Sequence, residues 1–221
     1  QNTMTLTQRL MELDPTLVLH NEGEWNNGIS AYSAFNSGGV ECEVGEFFYS
    51  FLRMIKPQDV LETGTHLAVG ASYMGMALKD NNGGHLDTVE FIEPLWNQAK
   101  ERITKMGLDS FVTCHFGDVA YFEPKMKKYQ FILLDTEPQT RFAEFMKFYP
   151  YLLEGGYMFI HDLGRHLQQI EIPTLGFAWP FGKLPEGMVN LMKEGKIRPF
   201  HFETPRGLSG FYRVAQGDYK W

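Results

Sequence analysis

From Glu43 onward the apolar residues Val44, Phe47, Phe48, Phe51, Leu52 and Ile55 recur every three or four positions. That spacing predicts a helix with one buried face, and Pro57 ends it. The period then changes. Val60-Leu61-Glu62-Thr63 leaves the turn Lys56-Pro57-Gln58-Asp59 as a short apolar run, which predicts a buried strand. A loop of small residues follows, from Gly64 to Gly70, and Ala71–Lys79 after it has helical composition.

The alternation continues along the chain. Asn81-Asn82-Gly83-Gly84 is a turn, His85–Glu90 a second strand, and Leu95, Ala99, Ile103 and Met106 mark a helix with Gly107 at its C-terminal cap. Phe111–Phe116 reads as a third strand ending at Gly117-Asp118, and Tyr129–Asp135 as a fourth, a continuous apolar run of the kind found in buried parallel strands. Phe142, Phe145, Met146 and Tyr149 make the next helix, and Gly155-Gly156 turns it into a fifth strand, Tyr157–Asp162. The ends differ in texture. Residues 1–20 hold one weakly amphipathic helix around Leu6, Leu10, Met11 and Leu13, closed by Asp14-Pro15. Residues 21–40, rich in Asn, Gly and Ser, predict a lid-like loop, and 163–197 predict an irregular segment with a short helix near Gly187–Lys193. Ile197–Thr204 and Ser209–Val214, separated by Pro205-Arg206-Gly207, predict an antiparallel hairpin at a sheet edge.

Five rounds of strand and helix plus that hairpin predict an α/β fold: a doubly wound, mostly parallel, seven-stranded sheet with helices on both faces and an antiparallel C-terminal hairpin. One domain over 1–221 is expected, with an N-terminal helix and loop (1–42), a core (43–162) and a tail (163–221). The length, 221 residues, and the 43% hydrophobic content allow a sizeable core. A net charge of −7 argues against a nucleic-acid backbone as main partner. No run approaches the about 18 apolar residues of a membrane span. The two cysteines, Cys42 and Cys114, are too few for a disulfide framework and lack metal-ligand spacing. No leader is visible, although a chain starting at Gln1 is open to prior trimming, and a cytoplasmic setting is expected.

Acidic residues fall in one place. Glu62, Glu90, Asp118 and Asp135 sit at or just past the C-terminal ends of successive strands, and Asp162 makes a fifth. In an open parallel sheet the ligand crevice lies outside those ends. Any single acid there is as well read as a cap or turn residue. Together they suit a cationic ligand with ribose hydroxyls, since a carboxylate accepts two hydrogen bonds from a diol.

The segment Val60–Ser72, Thr88-Val89-Glu90, Phe116-Gly117-Asp118, Ile132–Asp135 and Leu153–Gly156, in that order, resembles the class I S-adenosylmethionine-dependent methyltransferases. The likeness is greatest to small-molecule O-methyltransferases of the catechol and caffeoyl-CoA type and their bacterial relatives. Gly39–Gly45 resembles the segment that touches the cofactor there, and the trailing hairpin matches the same fold. The resemblance implies transfer of a methyl group from S-adenosylmethionine to an oxygen of a small-molecule acceptor. It implies that Glu62 and Gly64 hold the amino-acid end of the cofactor, with Val40, Thr65, His66 and Gly70 around it. Glu90, beside Phe91, would take the ribose, Asp118 with Val119 the adenine, and Asp135 would lie near the sulfonium. The family commonly has glycine where Ala68 stands.

In the metal-dependent members two aspartates and an asparagine hold a divalent ion such as Mg²⁺. Asp135 and Asp162 match the aspartates, but Leu163 replaces the asparagine, and Glu137 is the candidate third ligand. Without a metal, His161 or His166 is the candidate base, so Asp135, His161 and Asp162 are the candidate catalytic set. His115 is read as a packing residue. Trp25, Tyr32 and Phe35, or Phe177, Trp179 and Phe181, would wall the acceptor site or simply pack. Arg165 and Arg206 could meet an anionic substrate. Assembly is left open, a homodimer included. The alternatives are a non-catalytic cofactor-binding or interaction module, and a nicotinamide-dependent oxidoreductase. The latter lacks its Gly-x-Gly-x-x-Gly turn here.

Overall fold

The computed structural model describes residues 4–22, 32–36, 39–162, 170–171, 178–179, 184–202 and 204–217. In chain order the elements are α1 (Leu6–Leu13), β1 (Leu19–Glu22), β2 (Tyr32–Phe35), α2 (Cys42–Ile55), β3 (Asp59–Thr63), α3 (Val69–Asn81), β4 (His85–Glu90), α4 (Glu93–Lys105) and β5 (Val112–Phe116). Then come β6 (Tyr129–Leu134), α5 (Arg141–Phe148), β7 (Leu152–His161), β8 (Ile170–Glu171), β9 (Ala178–Trp179), α6 (Glu186–Lys193), β10 (Ile197–Phe202) and β11 (Leu208–Arg213). Seven strands form one sheet in the order β10-β11-β7-β6-β3-β4-β5. The chain steps outward from β3 to β5 and then runs the other way from β6, so right-handed crossovers put connecting helices on both faces. This is the expected Rossmann-like α/β fold. No described helix is long and apolar enough to cross a membrane.

The described residues fall into two compact units, the first ending at Glu123 and the second beginning at Pro124. In the first unit, α1 opens with a reciprocal cap in which Thr5 and Gln8 each accept from the other's backbone N–H. The apolar face read from the sequence buries Val44, Phe48 and Leu52 of α2. A Cβ on Gly45 would stand 2.4 Å from the Tyr73 ring, so α2 and α3 approach at a distance that only glycine permits. The Tyr73 hydroxyl meets Thr7 Oγ1 at 2.7 Å, tying α1 to α3. Strands β3, β4 and β5 are parallel and in register, Glu62 opposite Thr88 and Glu90 opposite Phe116.

One expectation changes in this unit, and for two aromatics the packing alternative holds. Part of the segment expected to be a lid-like loop is an antiparallel hairpin, β1 with β2, in which Leu19 faces Phe35 and Glu22 faces Tyr32. Tyr32 and Phe35 are buried, and Phe35 stacks on Tyr73 at 6.4 Å, so both aromatics belong to the core.

In the second unit β6 and β7 are parallel, with a register shift between Tyr129 and Phe131. That irregularity lets β7 begin at Leu152 rather than at Tyr157, so Gly155-Gly156 lies inside the strand instead of before it. The hairpin β10–β11 is as expected, and β11 runs antiparallel to β7 with Leu208 opposite His161.

Candidate functional site

Parallel register carries Glu62 and Glu90 to the C-terminal ends of adjacent strands, and Asp118 follows just beyond β5. Both glutamates are buried, at 1% and 5% exposure. The loop between β3 and α3 winds tightly beside them, with left-handed backbone at Gly64 (φ 82°), His66 (φ 49°) and Ala68 (φ 59°). Each non-glycine residue so held costs about 1–2 kcal/mol and needs its surroundings to fix it. Ala68, where the resemblance implies glycine, thus has a backbone that favours glycine.

The fasteners can be named. The N–H groups of Gly64 and Thr65 donate to the Val89 carbonyl at 3.0 and 3.1 Å. The His66 N–H donates to Glu90 Oε2 and the Ile92 N–H to Glu90 Oε1, both at 2.8 Å. Thr88 Oγ1 donates to Glu62 Oε2 at 2.6 Å and lies 2.6 Å from Thr65 Oγ1. Arg102 donates to the Leu67 carbonyl and is itself held by Asp14 at 2.9 Å, the two joined across 88 positions of sequence. Burial would raise the Asp14 carboxyl, but bonds from Arg102 and Thr16 hold it at about 2.

Gly70 is the tightest point. A Cβ there would stand 2.4 Å from Glu62 Oε1, and Val40 Cγ1 is 3.7 Å away. Val40, Glu62 and Gly70 therefore meet at the start of α3. Each carboxylate oxygen has two acceptor positions, so the single backbone bond seen on each oxygen of Glu90 leaves capacity for a diol. Asp118 is exposed and its Oδ1 accepts from the Ala120 N–H at 2.8 Å, the turn-capping role also open to it. Val119 beside it is buried, while Phe91 and Ile92, 62% and 41% exposed, leave an apolar face at the end of β4.

A second cluster is built in the second unit, where β6, β7 and the β10–β11 turn end. His161 is fully buried, and its Nδ1 lies 2.9 Å from Asp135 Oδ1 and 3.7 Å from Asp162 Oδ1. Arg141, 3% exposed, bridges the two aspartates through Nη2, 3.2 Å from Asp135 Oδ1 and 3.3 Å from Asp162 Oδ2. Its other donors go to the carbonyls of Thr136 and His161. Arg206 grips Asp162 with two donors, Nε to Oδ1 at 2.6 Å and Nη2 to Oδ2 at 2.8 Å. Burial would raise the Asp162 carboxyl; His161, Arg206 and Arg141 hold it instead at about 2.

The ligand atoms of Asp135, His161 and Asp162 lie within 4.8 Å of one another, a donor set of the right kind for a cation. Glu137 is exposed and not among them. The charge is wrong for a divalent ion. Both oxygens of Asp162 are engaged by Arg206, and Arg141 adds a second guanidinium. As they stand these residues do not fit Mg²⁺.

The other candidates separate cleanly. His115 bonds Asp87 Oδ1 at 2.8 Å and packs on Phe122. Burial pushes the Cys42 and Cys114 thiols up to about 11 and about 12, far from a reactive thiolate. Trp25, Arg165, His166, Phe177 and Phe181 lie outside the described residues, and of Trp179 only the backbone, paired with Ile170, is described. The sequence reading missed Thr88, Arg102 and Arg141. Arg141 carried a signal: a cation in the first turn of a helix opposes the helix dipole and calls for a compensating partner.

Residues 61–163 match the model of a family described as a methyltransferase domain. A comparison with curated protein sequences finds no match. Among solved structures, a Klebsiella pneumoniae protein provisionally assigned as an O-methyltransferase is 15% identical over 96% of this chain and 91% of its own, with a TM-score of 0.65. An O-methyltransferase from Bacillus cereus in complex with S-adenosylhomocysteine is 16% identical over 79% and 83%, TM-score 0.63. The S-adenosylhomocysteine-bound methyltransferase PaMTH1 from Podospora anserina is 15% identical over 81% of each chain, TM-score 0.63. At these identities the likeness is one of fold.

Proposed function

We propose that this chain, whose residues 61–163 match the model of a methyltransferase domain, transfers the methyl group of S-adenosylmethionine to an oxygen of a small-molecule acceptor. The observation that carries the reading is the pair of buried glutamates at the ends of adjacent parallel strands, Glu90 bonded to the His66 N–H of the loop and Glu62 to Thr88, which itself meets Thr65 of that loop. Glu90 then takes the ribose diol. Glu62 and the loop take the amino-acid end, with Val40 and Gly70 shaping its floor. Phe91 lies against the adenine ring, and Val119 and Asp118 line the same end.

S-adenosylmethionine held there would supply an activated methyl group, with the thioether S-adenosylhomocysteine as the leaving group. The protein must align the acceptor and receive its proton. Asp135, whose side chain is 12% exposed, is suited to both. His161 behind it is fully buried, so it acts as a positioning residue that orients the Asp135 carboxylate through Nδ1. The oxygen-selective part of the reading rests on the structural relatives and on this aspartate. The test is S-adenosylhomocysteine release over a panel of phenols, catechols, hydroxy acids, amines and thiols, with mass spectrometry of the product. Methylation at oxygen supports the proposal; release with only amine or thiol acceptors removes the oxygen assignment.

A further inference from the structure

Resting on that reading of the second cluster as the acceptor end, we propose that Arg206 takes the place of a divalent ion at Asp162 and that this site works without a metal. The fold delivers the cation. Leu208, the first residue of β11, pairs with His161, the last of β7, so the turn before β11 is carried alongside Asp162. Pro205-Arg206-Gly207 forms that turn, and the Gly207 N–H donates to Thr204 Oγ1 at 2.9 Å to fix it. Asp162 has a left-handed backbone, φ 59°, unusual for a residue with a side chain. It turns both carboxylate oxygens onto the Arg206 fork, at 2.6 and 2.8 Å. Parallel two-donor contact of this kind is the strongest arrangement an arginine makes with a carboxylate.

Arg141 completes the balance. Its Nη2 bridges the two aspartates while its remaining donors are spent on backbone carbonyls, so it is anchored where it stands. Two carboxylates thus face two guanidiniums. An incoming divalent ion would have to displace Arg206 and sit against Arg141, with like charges meeting in a part-buried site where screening is weak. A guanidinium also performs the electrostatic part of the ion's task. It keeps its charge at every working pH and lowers the proton affinity of an acceptor oxygen placed beside it. The acceptor proton has its own destination in Asp135, so no metal-bound base is needed.

The test is an electron paramagnetic resonance titration of the full chain with Mn²⁺, which reports free ion and needs no acceptor. The wild-type chain is expected to leave Mn²⁺ free up to millimolar concentration, and Arg206→Lys, which keeps the charge, should do the same. Arg206→Gln should gain Mn²⁺ affinity by about tenfold or more, the size of one removed charge contact. Adding Asp162→Asn to that variant should abolish the gain. Wild-type binding that disappears in Asp135→Asn or Asp162→Asn would overturn the proposal, and so would a folded Arg206→Gln chain with no gain. Calorimetry with S-adenosylhomocysteine on the same wild-type sample separates the two levels. No S-adenosylhomocysteine binding with the Mn²⁺ pattern intact would sink the methyltransferase reading alone; the converse would sink only the arginine substitution.

Discussion

Replacing Gly70 by alanine sets two opposed effects against each other. Gly70 is the second residue of α3 and its backbone is not left-handed, so helix propensity alone predicts that alanine stabilises the protein by about 1 kcal/mol. The structure predicts the opposite sign. The new Cβ would stand 2.4 Å from Glu62 Oε1, about 1 Å inside ordinary contact distance. Glu62 has little room to retreat, because it is 1% exposed and its other oxygen is bonded to Thr88 at 2.6 Å. Overpacking at such a site costs about 1–3 kcal/mol. The net expectation is a loss of about 1 kcal/mol, hence a fall in Tm of about 2–4 °C for a chain of this size. The affinity for S-adenosylhomocysteine should fall as well, since the displaced carboxylate is the one assigned to the cofactor. Glu62→Asp, shorter by one methylene, should relieve the clash, so a double-mutant cycle should show favourable coupling of about 1 kcal/mol between the two substitutions. Thermal unfolding and calorimetry check this. A Gly70→Ala protein that gains stability and binds S-adenosylhomocysteine as well as the wild type would show that the Glu62 carboxylate does not lie against Gly70.

Three further outcomes are expected. Glu90→Ala removes an acceptor from the His66 and Ile92 N–H groups as well as the proposed ribose contact; S-adenosylhomocysteine affinity should drop by about tenfold to a hundredfold, and calorimetry showing no change would take Glu90 out of that role. Asp135→Asn should abolish turnover while leaving S-adenosylhomocysteine affinity within about threefold, because a neutral amide cannot accept the acceptor proton; full activity in the release assay would refute its place at the reaction. The Asp14 carboxyl is held at about 2 in the folded chain, below its unfolded value of about 3.9. Its contribution of about 2 kcal/mol is present above pH 4 and lost as pH falls toward 2. Asp14→Asn should flatten that part of a stability-versus-pH curve, and an unaltered acid slope would contradict the Asp14–Arg102 account.

Much of the frame was legible because helix and strand write different periods. The face Val44, Phe47, Phe48, Phe51, Leu52, Ile55 gave α2 its extent, and the run from Tyr129 to Leu134 could only be a buried strand. The hairpin β1–β2 was not legible: Leu19-His20-Asn21-Glu22 has one apolar residue, and its pairing depends on a partner beyond a polar stretch. The start of β7 was hidden by Glu154-Gly155-Gly156, whose turn-like composition is tolerated because the ladder to β6 shifts register there. Of the site, the acids at strand ends could be read because parallel strands deliver their last residues to one edge. What holds them could not. Asp14 reaches Arg102, Arg141 reaches Asp162, and Arg206 reaches Asp162 only through the fold, and even the misplaced charge of Arg141 at a helix start does not say which partner it meets.

The C-terminal ends of β3, β4 and β5 are the proposed site for S-adenosylmethionine. Isothermal titration of the full chain with S-adenosylhomocysteine, and in parallel with a reduced nicotinamide dinucleotide, tests it directly. Saturable one-to-one heat with S-adenosylhomocysteine and none with the nicotinamide compound is the predicted result. Binding of the nicotinamide compound instead, or of neither, would contradict the account.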